Sequence, residues 1–370
     1  MDREPLLTVT TPRRPFITAA FAVVTLLLSG CTSTGSATGE DAATTPRLAD
    51  VAPIADPAAW DGPSTAVAPA SPVDPVTVGE QSLPAMITDA QGTTVEVDDT
   101  SRILALDIYG SLSRTVFELG FGDQVVGRDI SSGFAEIADR PLVTQNGHDL
   151  NAEAILDLAP TLIITDTSLG PWDTVLQMRD AGIDVVVVDS HRSLDSIGSL
   201  IDGVAAALGV PERGTALADR VTASVDATVA DIAAIAPADG ERLRMVFLYV
   251  RGQSGVYYLF GQESGADALV SALGGVDVSS EIGWTGMRPV TDEGLVAANP
   301  DLILVMTGGL ESVEGVDGLL EALPALQQTP AGEHRRVVDM ADSQILSFGP
   351  DTARVLEALA VAVYAPDQAG

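Results

Sequence analysis

The sequence predicts an α/β protein made of two similar lobes joined by one long helix, and two observations support this prediction. Short apolar strands alternate with amphipathic helices after residue 80, and one helix–strand segment recurs 140 residues further along the chain. We therefore expect, in chain order, a signal peptide at 1–30, a lipidated cysteine and flexible tether at 31–80, an N-terminal lobe at 81–210, a connecting helix at 211–238 and a C-terminal lobe at 239–370.

The N-terminal segment has the features of an export signal. Arg13 and Arg14 precede an apolar run at 16–28, which is too short to cross a bilayer because a spanning helix needs about 20 residues. The run ends in Leu-Ser-Gly-Cys, and Cys31 is the only cysteine of the chain. This ending resembles the lipobox of bacterial lipoproteins, which implies a lipid anchor on Cys31 at the extracytoplasmic face of the cell membrane. The alternative is a stray cysteine in a secretory signal, and both Sec and twin-arginine export remain open.

Composition excludes one class of partner. The chain has 52 acidic and 19 basic residues, all of the basic ones arginine, and a net charge of −33. Because such a charge repels phosphate backbones, we do not expect nucleic acid as a partner. Residues 32–80 are rich in Thr, Ser, Ala and Pro without hydrophobic periodicity, which predicts a flexible tether.

The remaining elements follow in order along the two lobes. In the first lobe the apolar pattern predicts a hairpin at 86–97 and strands at 103–106, 125–126, 162–165 and 185–188, with helices between them. A helical run at 212–235 has no strand directly behind it and is therefore predicted to connect the lobes. In the second lobe we expect strands at 243–250, 302–306 and 337–340 and a closing helix at 351–364.

The internal repeat places a glutamate at the same position of each lobe. Residues 151–164 align without gaps on residues 291–304, so that Glu153 corresponds to Glu293. In both copies a capping residue precedes the glutamate, which lies in the first helical turn where the helix dipole favours an anion. Dipole stabilisation alone would explain these two residues, and a surface role in binding a partner remains open.

Candidate ligand-binding residues lie at strand ends, where open α/β sheets form their clefts. Tyr249 and Arg251 are two positions apart on a predicted strand and therefore share a face. A phenolate is a hard ligand for ferric iron, and a neighbouring guanidinium favours the ionised form. The simpler alternative is a tyrosine that caps the strand end beside a solvated arginine.

A histidine in the first lobe could complete an iron site. His148 lies in a polar loop at 145–151 and can present an imidazole nitrogen. His191 is the second choice, and His334, beside two arginines, is expected at the surface. Met306 and Trp284 are candidate pocket walls, although a core role would explain both equally well.

Taken together, the lipobox, the tether, the repeated Glu…Pro-x-Leu-Ile segment and the long helix resemble the substrate-binding proteins of metal-chelate ABC importers, which carry haem, siderophores or cobalamin. The resemblance covers about residues 83–364. It implies a ligand cleft between the lobes and a monomeric, non-enzymatic protein that delivers its ligand to a membrane permease driven by a separate ATPase. In this family one glutamate on each lobe pairs with permease arginines, and the matching positions are Glu153 and Glu293.

The loop of His148 and the Tyr249-x-Arg251 segment further resemble the haem-binding branch of that family. This resemblance implies that His148 and Tyr249 ligate the iron of a haem held between the lobes, with Arg251 supporting the tyrosine. Arg288 is a candidate partner for a haem propionate only because it lies near Trp284 in the sequence. A ferric siderophore or cobalamin is the alternative ligand, since siderophores bring their own iron donors and need cationic and aromatic walls.

Two other classes of protein fit the sequence less well. A nitrogenase-like or chelatase-like enzyme could share a two-lobed α/β body, but cluster binding needs cysteines and Cys31 is used by the lipid. A purely structural envelope lipoprotein would leave the cleft without ligand groups. The residues therefore favour a haem-binding transport protein.

Overall fold

The computed structural model describes residues 46–369, so the predicted signal peptide at 1–30 and Cys31 lie outside the described residues. The α/β class is confirmed. The strands are β1 (Ser64–Ala66), β2 (Ala85–Thr88), β3 (Thr94–Val97), β4 (Ile103–Leu106), β5 (Thr144–Gln145), β6 (Asp149–Leu150), β7 (Leu162–Thr165), β8 (Asp184–Val187), β9 (Arg244–Arg251), β10 (Val256–Phe260), β11 (Val276–Asp277), β12 (Met287–Pro289), β13 (Leu302–Met306) and β14 (Val337–Met340). The helices are α1 (Ser111–Glu118), α2 (Ala152–Asp157), α3 (Trp172–Asp180), α4 (Ile197–Ala207), α5 (Pro211–Ile235), α6 (Ala266–Ala272), α7 (Val278–Glu281), α8 (Asp292–Ala298), α9 (Thr307–Glu311), α10 (Gly315–Ala322), α11 (Pro330–Glu333) and α12 (Thr352–Tyr364).

The N-terminal lobe is built on a small parallel sheet in the order β4-β7-β8. All four residues of β4 and of β7 are buried, which explains why these strands are continuous apolar runs. Helix α1 packs on β4, and α3 packs on β8. The strand predicted at 125–126 is reduced to a single bridge between Val125 and Ile103.

The C-terminal lobe contains the larger sheet, in the order β1-β14-β13-β9-β10-β12, with β11 paired to the start of β9. Strands β1, β14, β13 and β9 run parallel, and at one edge β10 pairs antiparallel with both β9 and β12. The carboxyl ends of β9 and β13 therefore lie side by side, and that edge of the sheet carries Tyr249, Arg251 and Met306.

Helix α5 connects the lobes. It begins with Pro211 at its first position, where the missing N–H costs nothing, and its 25 residues span about 38 Å. It packs against α4 on one side and α12 on the other. Within residues 46–369 no helix combines the length and apolarity that crossing a membrane requires.

The predicted flexible tether at 31–80 is wrong from residue 46 onward. Leu48 is buried and its N–H donates to Glu357 at 3.0 Å, and Ile54 N–H donates to Tyr364 O at 2.8 Å. Strand β1 pairs in parallel with β14 and forms the edge of the C-terminal sheet. Composition suggested disorder, but a few buried apolar side chains, several long-range hydrogen bonds and the pairing of β1 are enough to attach this segment.

The following residues, 69–82, form a second connection between the lobes. This stretch lacks regular secondary structure, and arginine side chains bind several of its carbonyls: Arg354 donates to Pro69 O, Arg114 to Ser71 O and Pro72 O, and Arg213 to Val78 O. Arg220 of α5 forms an ion pair with Asp74. Arginine donors thus satisfy backbone groups that a proline-rich sequence cannot place in a ladder.

The repeat extends beyond the residues that revealed it. Arg102, just before β4, donates to the carbonyls of Leu158 and Ala159 after α2. Arg244, at the start of β9, donates in the same way to Ala298 and Asn299 at the end of α8. Ala159 and Asn299 correspond in the repeat, and both adopt left-handed backbone angles, with φ of 42° and 41°. The two lobes are therefore built on the same frame.

Candidate functional site

A cavity of about 560 Å³ lies between the lobes, within the range of small-molecule sites. Both lobes contribute to its wall. The N-terminal lobe provides Ile108, Ile130, Ser131, Asn146, Gly147 and His148, and the C-terminal lobe provides Tyr249, Arg251, Met306, Asp342 and Ser343. The cavity brings together four residues that the sequence predicted for the ligand site: His148, Tyr249, Arg251 and Met306.

His148 reaches the cavity from the tip of a tight hairpin. Strands β5 and β6 pair through Gln145 and Asp149, and the chain turns between them with φ of 50° at Asn146 and 94° at Gly147. These left-handed angles suit Asn and Gly and explain the Asn-Gly pair before the histidine. The imidazole is half-buried, and its buried Nδ1 has no hydrogen-bond partner in the described part of the chain.

The electrostatic surroundings favour the neutral form of His148. Burial lowers the pKa of His148, and the positive charge of Arg251 lowers it further, while Asp342 and Asp149 act in the opposite direction. A neutral imidazole keeps a lone pair available for a metal ion. The histidine can therefore act as a ligand at neutral pH without first losing a proton.

Tyr249 and Arg251 lie together on the opposite wall. The guanidinium of Arg251 lies over the Tyr249 ring, 4.5 Å from its centroid, and the other side of the tyrosine stacks on Phe260 at 6.0 Å. Arg251 also donates to Asp342 at 3.1 Å, and Asp342 accepts the N–H of Gly308 at 2.8 Å. Asp342 thus fixes the arginine, which in turn fixes the orientation of the phenol.

A network of buried charges underlies the N-terminal wall. Arg192 donates to Asp166 at 2.6 Å and to Asp107 at 3.4 Å, and all three side chains are at most 1% exposed. Asp129, also fully buried, accepts the N–H groups of Asp107 at 3.2 Å and Ser132 at 2.8 Å. These bonds tie together the loops that carry Ile108, Ile130 and Ser131 into the cavity.

The same network contains carboxyls that resist ionisation. Burial, followed by the negative charge of Asp107, raises the pKa of Asp129 to about 7. The same two causes raise the pKa of Asp166 to about 6, although Arg192 acts against them. Arg192 pairs with Asp107 and Asp166, and Asp129 is buried beside the charge of Asp107, so a proton is retained in the network well above the usual pH range of aspartate.

Two predicted pocket residues lie elsewhere. The ring of Trp284 packs against α8 at Gly294 and belongs to the core of the C-terminal lobe. Arg288 is exposed on the edge strand β12, where it is paired with Leu259 of β10. Neither lines the cavity, so the prediction of Trp284 as a pocket wall is corrected, and Arg288 does not lie beside a ligand held there. Proximity to Trp284 in the sequence suggested Arg288, but β12 is an edge strand that β10 separates from β9, so Arg288 lies away from the cavity.

The other histidines are also outside the cavity. His191 lies in a separate surface depression between the β2–β3 hairpin and α4, together with Asp189 and Ser196. The Nδ1 atom of His334 is hydrogen-bonded to Asp61 at 2.8 Å on the C-terminal lobe. His148 is thus the histidine that faces Tyr249.

Sequence reasoning missed several residues of the cavity, among them Ile108, Ser131, Asp342 and Ser343. A usable signal existed for two of them, since Ile108 follows β4 by two residues and Asp342 follows β14 by two residues. Both are at carboxyl ends of parallel strands, where the cleft of such a sheet is expected. Ser131 follows no regular strand, and the sequence carried no comparable signal for it.

Comparisons with known proteins give relatives along most of the chain. A family model described as periplasmic binding protein matches residues 108–343. The chain is 42% identical to the haem-binding protein HmuT, with a TM-score of 0.79, covering 84% of this chain and 99% of HmuT. It is 36% identical to the periplasmic haem-binding protein RhuT from Roseiflexus sp. RS-1, with a TM-score of 0.66, covering 74% of this chain and 100% of RhuT. It is 26% identical to an uncharacterized ABC transporter substrate-binding lipoprotein, YvrC of Bacillus subtilis strain 168, covering 77% of this chain and 86% of YvrC.

Three solved variants of HmuT replace a histidine, a tyrosine and an arginine by alanine. The tyrosine and the arginine are two positions apart in HmuT, which is also the spacing of Tyr249 and Arg251. The residue types that meet in this cavity are therefore the types that were substituted in that relative.

Proposed function

The chain belongs to the periplasmic binding protein family and is a substrate-binding protein of an ABC importer, and we propose that its substrate is haem. The observation that carries the proposal is the pairing of an imidazole and a phenol on opposite walls of one interlobe cavity. His148 and Tyr249 would occupy the two axial positions that a porphyrin leaves open on its iron. The haem-binding relatives HmuT and RhuT support this choice of substrate.

Each remaining group of the cavity has a role in this proposal. His148 binds iron as a neutral imidazole, and the charge of Arg251 stabilises the phenolate of Tyr249 on ferric iron. Asp342 positions Arg251. Ile108, Ile130 and Met306 offer apolar contacts to the faces of the porphyrin, whose burial adds affinity without direction.

The transport role follows from the same proposal. The protein captures and delivers its ligand without changing it chemically. It acts as a monomer anchored through lipidated Cys31 at the extracytoplasmic face of the membrane, after export by the Sec or the twin-arginine route. Glu153 and Glu293 dock on the permease, which is driven by a separate ATPase.

A haemin titration of the mature chain from Thr32 tests the substrate and the ligands together. We expect a saturable one-to-one change in the Soret band, with an altered spectrum and weaker binding in His148→Ala and in Tyr249→Phe. His191→Ala and Tyr257→Phe are matched controls, because His191 lies in another depression and Tyr257 packs in the core of the C-terminal lobe. Both controls should titrate like the wild type.

The other outcomes separate the parts of the proposal. If haemin binding is saturable and is the same in both variants as in the wild type, haem remains the substrate but His148 and Tyr249 are not its ligands. No saturable binding would remove haem and leave a ferric siderophore or cobalamin as the substrate.

A further inference from the structure

Two exposed apolar side chains occupy equivalent positions in the two lobes. Leu156 in α2 is 45% exposed and Val296 in α8 is 44% exposed, and the two are 140 residues apart, the period of the repeat. Each lies three residues after a glutamate, Glu153 in one lobe and Glu293 in the other. A single exposed apolar residue needs no explanation, but the same exposure at the same position of both lobes does.

The local structure makes each glutamate and its apolar neighbour one surface. Residues three apart on a helix share a face, so Glu153 lies beside Leu156 and Glu293 beside Val296. Ile155 lies between Glu153 and Leu156 in the chain, and its counterpart is Leu295. Both are buried, and this burial fixes which face of each helix points outward. The capping residues Asn151 and Thr291 accept the N–H groups of Ala154 and Gly294, both at 3.1 Å, so the two helices begin in the same way.

The glutamates are not used inside the protein. Among residues 46–369, neither Glu153 nor Glu293 has a side-chain hydrogen bond or an ion pair, whereas other carboxylates, such as Glu118 and Glu281, pair with arginines. Each surface thus offers a free negative charge beside an apolar side chain. Its complement is a partner surface with a cation beside an apolar depression.

We infer that Leu156 and Val296 are apolar contacts for the importer's permease, one contact for each of two equivalent permease subunits. This inference rests on the proposed function and adds the apolar half of the docking surface to the two glutamates. Two copies of one surface on one chain match a partner with two-fold symmetry, because each of its subunits then meets the same acid and apolar pair.

The two kinds of side chain have different effects on binding. An exposed carboxylate attracts its partner over a distance and mainly raises the association rate, in a way that salt weakens. A desolvated apolar contact mainly slows dissociation and is insensitive to salt. The arrangement therefore predicts that the glutamates govern association and that Leu156 and Val296 govern dissociation.

The test measures binding of the haemin-loaded protein to the permease–ATPase complex of the same importer in lipid nanodiscs, at low and high salt. Leu156→Ser and Val296→Ser should each dissociate roughly tenfold faster, and the double variant about a hundredfold faster, at both salt concentrations. Glu153→Gln and Glu293→Gln should associate more slowly, chiefly at low salt. Met86→Ser is the matched control, since Met86 is 62% exposed and lies outside the repeat.

Haemin titration of the same variants separates this inference from the proposed function. All of them should bind haemin like the wild type, and a wild type that binds no haemin would overturn the proposed function. Wild-type dissociation of the Leu156→Ser, Val296→Ser double variant would overturn the apolar contacts and leave the proposed function intact. Faster dissociation in only one of the two single variants would overturn the two-fold equivalence of the contacts. Equally fast dissociation of Met86→Ser would overturn the assignment to Leu156 and Val296, because any exposed apolar residue would then have the same effect.

Discussion

The two lobes share one frame but carry different kinds of side chain at corresponding strand ends, a buried charged one in the first lobe and an aromatic one at the cavity in the second. Ile103 pairs with Leu162 in the first lobe as Met245 pairs with Leu302 in the second, so Asp107 corresponds to Tyr249. Asp107 is fully buried against Arg192, whereas Tyr249 is half-buried and faces the cavity beneath Arg251. One lobe therefore uses its strand end to hold its own loops together, and the other uses the same position to face a ligand.

The largest expected effect comes from removing the cation of each lobe. Arg192→Met should lower the free energy of unfolding by about 3–5 kcal/mol, because buried carboxylates lose their counter-charge. Arg251→Met should lower it by at most about 1 kcal/mol, since Arg251 and Asp342 are partly exposed. Urea denaturation measures both values. Equal losses in the two variants would mean that the strand ends do not differ in the way described.

The second prediction concerns pH. The pKa of Asp129 is raised from 3.8 to about 7, so the protonated form is favoured in the folded protein. The stability that this proton provides is complete below about pH 4 and is lost as the pH rises through about 7. We expect the free energy of unfolding to fall by a few kcal/mol across that range and Asp129→Asn to flatten the fall. Asp342→Asn in the other lobe serves as the control, since it replaces a carboxyl outside the buried network.

The third prediction tests whether the strand end of the C-terminal lobe, with Tyr249 and Arg251, takes part in haemin binding. Arg251→Met should weaken haemin binding by roughly tenfold, because the phenolate that binds the iron loses the stabilising positive charge of the guanidinium. Arg288→Met should bind haemin like the wild type, since Arg288 is exposed on the edge strand β12. Soret titrations measure both. A loss in Arg288→Met equal to that in Arg251→Met would return Arg288 to the site.

The smallest effect tests the shared frame. Asn151→Ala and Thr291→Ala each remove a helix cap and should each lower the free energy of unfolding by about 1 kcal/mol. Thermal or urea unfolding of the two variants gives the comparison. A loss of stability in only one of the two variants would show that the two lobes share the same backbone arrangement but that the helix caps do not contribute equally to stability.

Sequence patterns predicted the regular part of the fold because that part depends on local rules. Apolar runs gave the buried strands β4, β7 and β13, and the long helical run gave α5. The same rules failed for residues 46–80, where composition indicated a tether. That segment is held by contacts with distant residues such as Glu357 and Arg354, which no local pattern contains.

The candidate site was predictable in part. His148, Tyr249 and Arg251 stood out by residue type and by position at a loop or a strand end, and the structure brings them to one cavity. Trp284 was chosen as a possible aromatic wall and Arg288 for its proximity to Trp284 in the sequence, and both lie elsewhere. The position of Asp342 just after β14 was a usable signal that was overlooked, but its role depends on Arg251, which is 91 residues away in the chain.

By itself the sequence determined the α/β class, the repeat that builds both lobes and the chemical groups available for a ligand, since strand period, helix caps and residue types are local properties. Only the tertiary structure decided which groups meet. The placement of His148 opposite Tyr249, the burial of Asp107 and the attachment of residues 46–68 to the C-terminal lobe all depend on contacts between distant parts of the chain. Such contacts form when the sheets and α5 pack, and packing is a property of the whole fold.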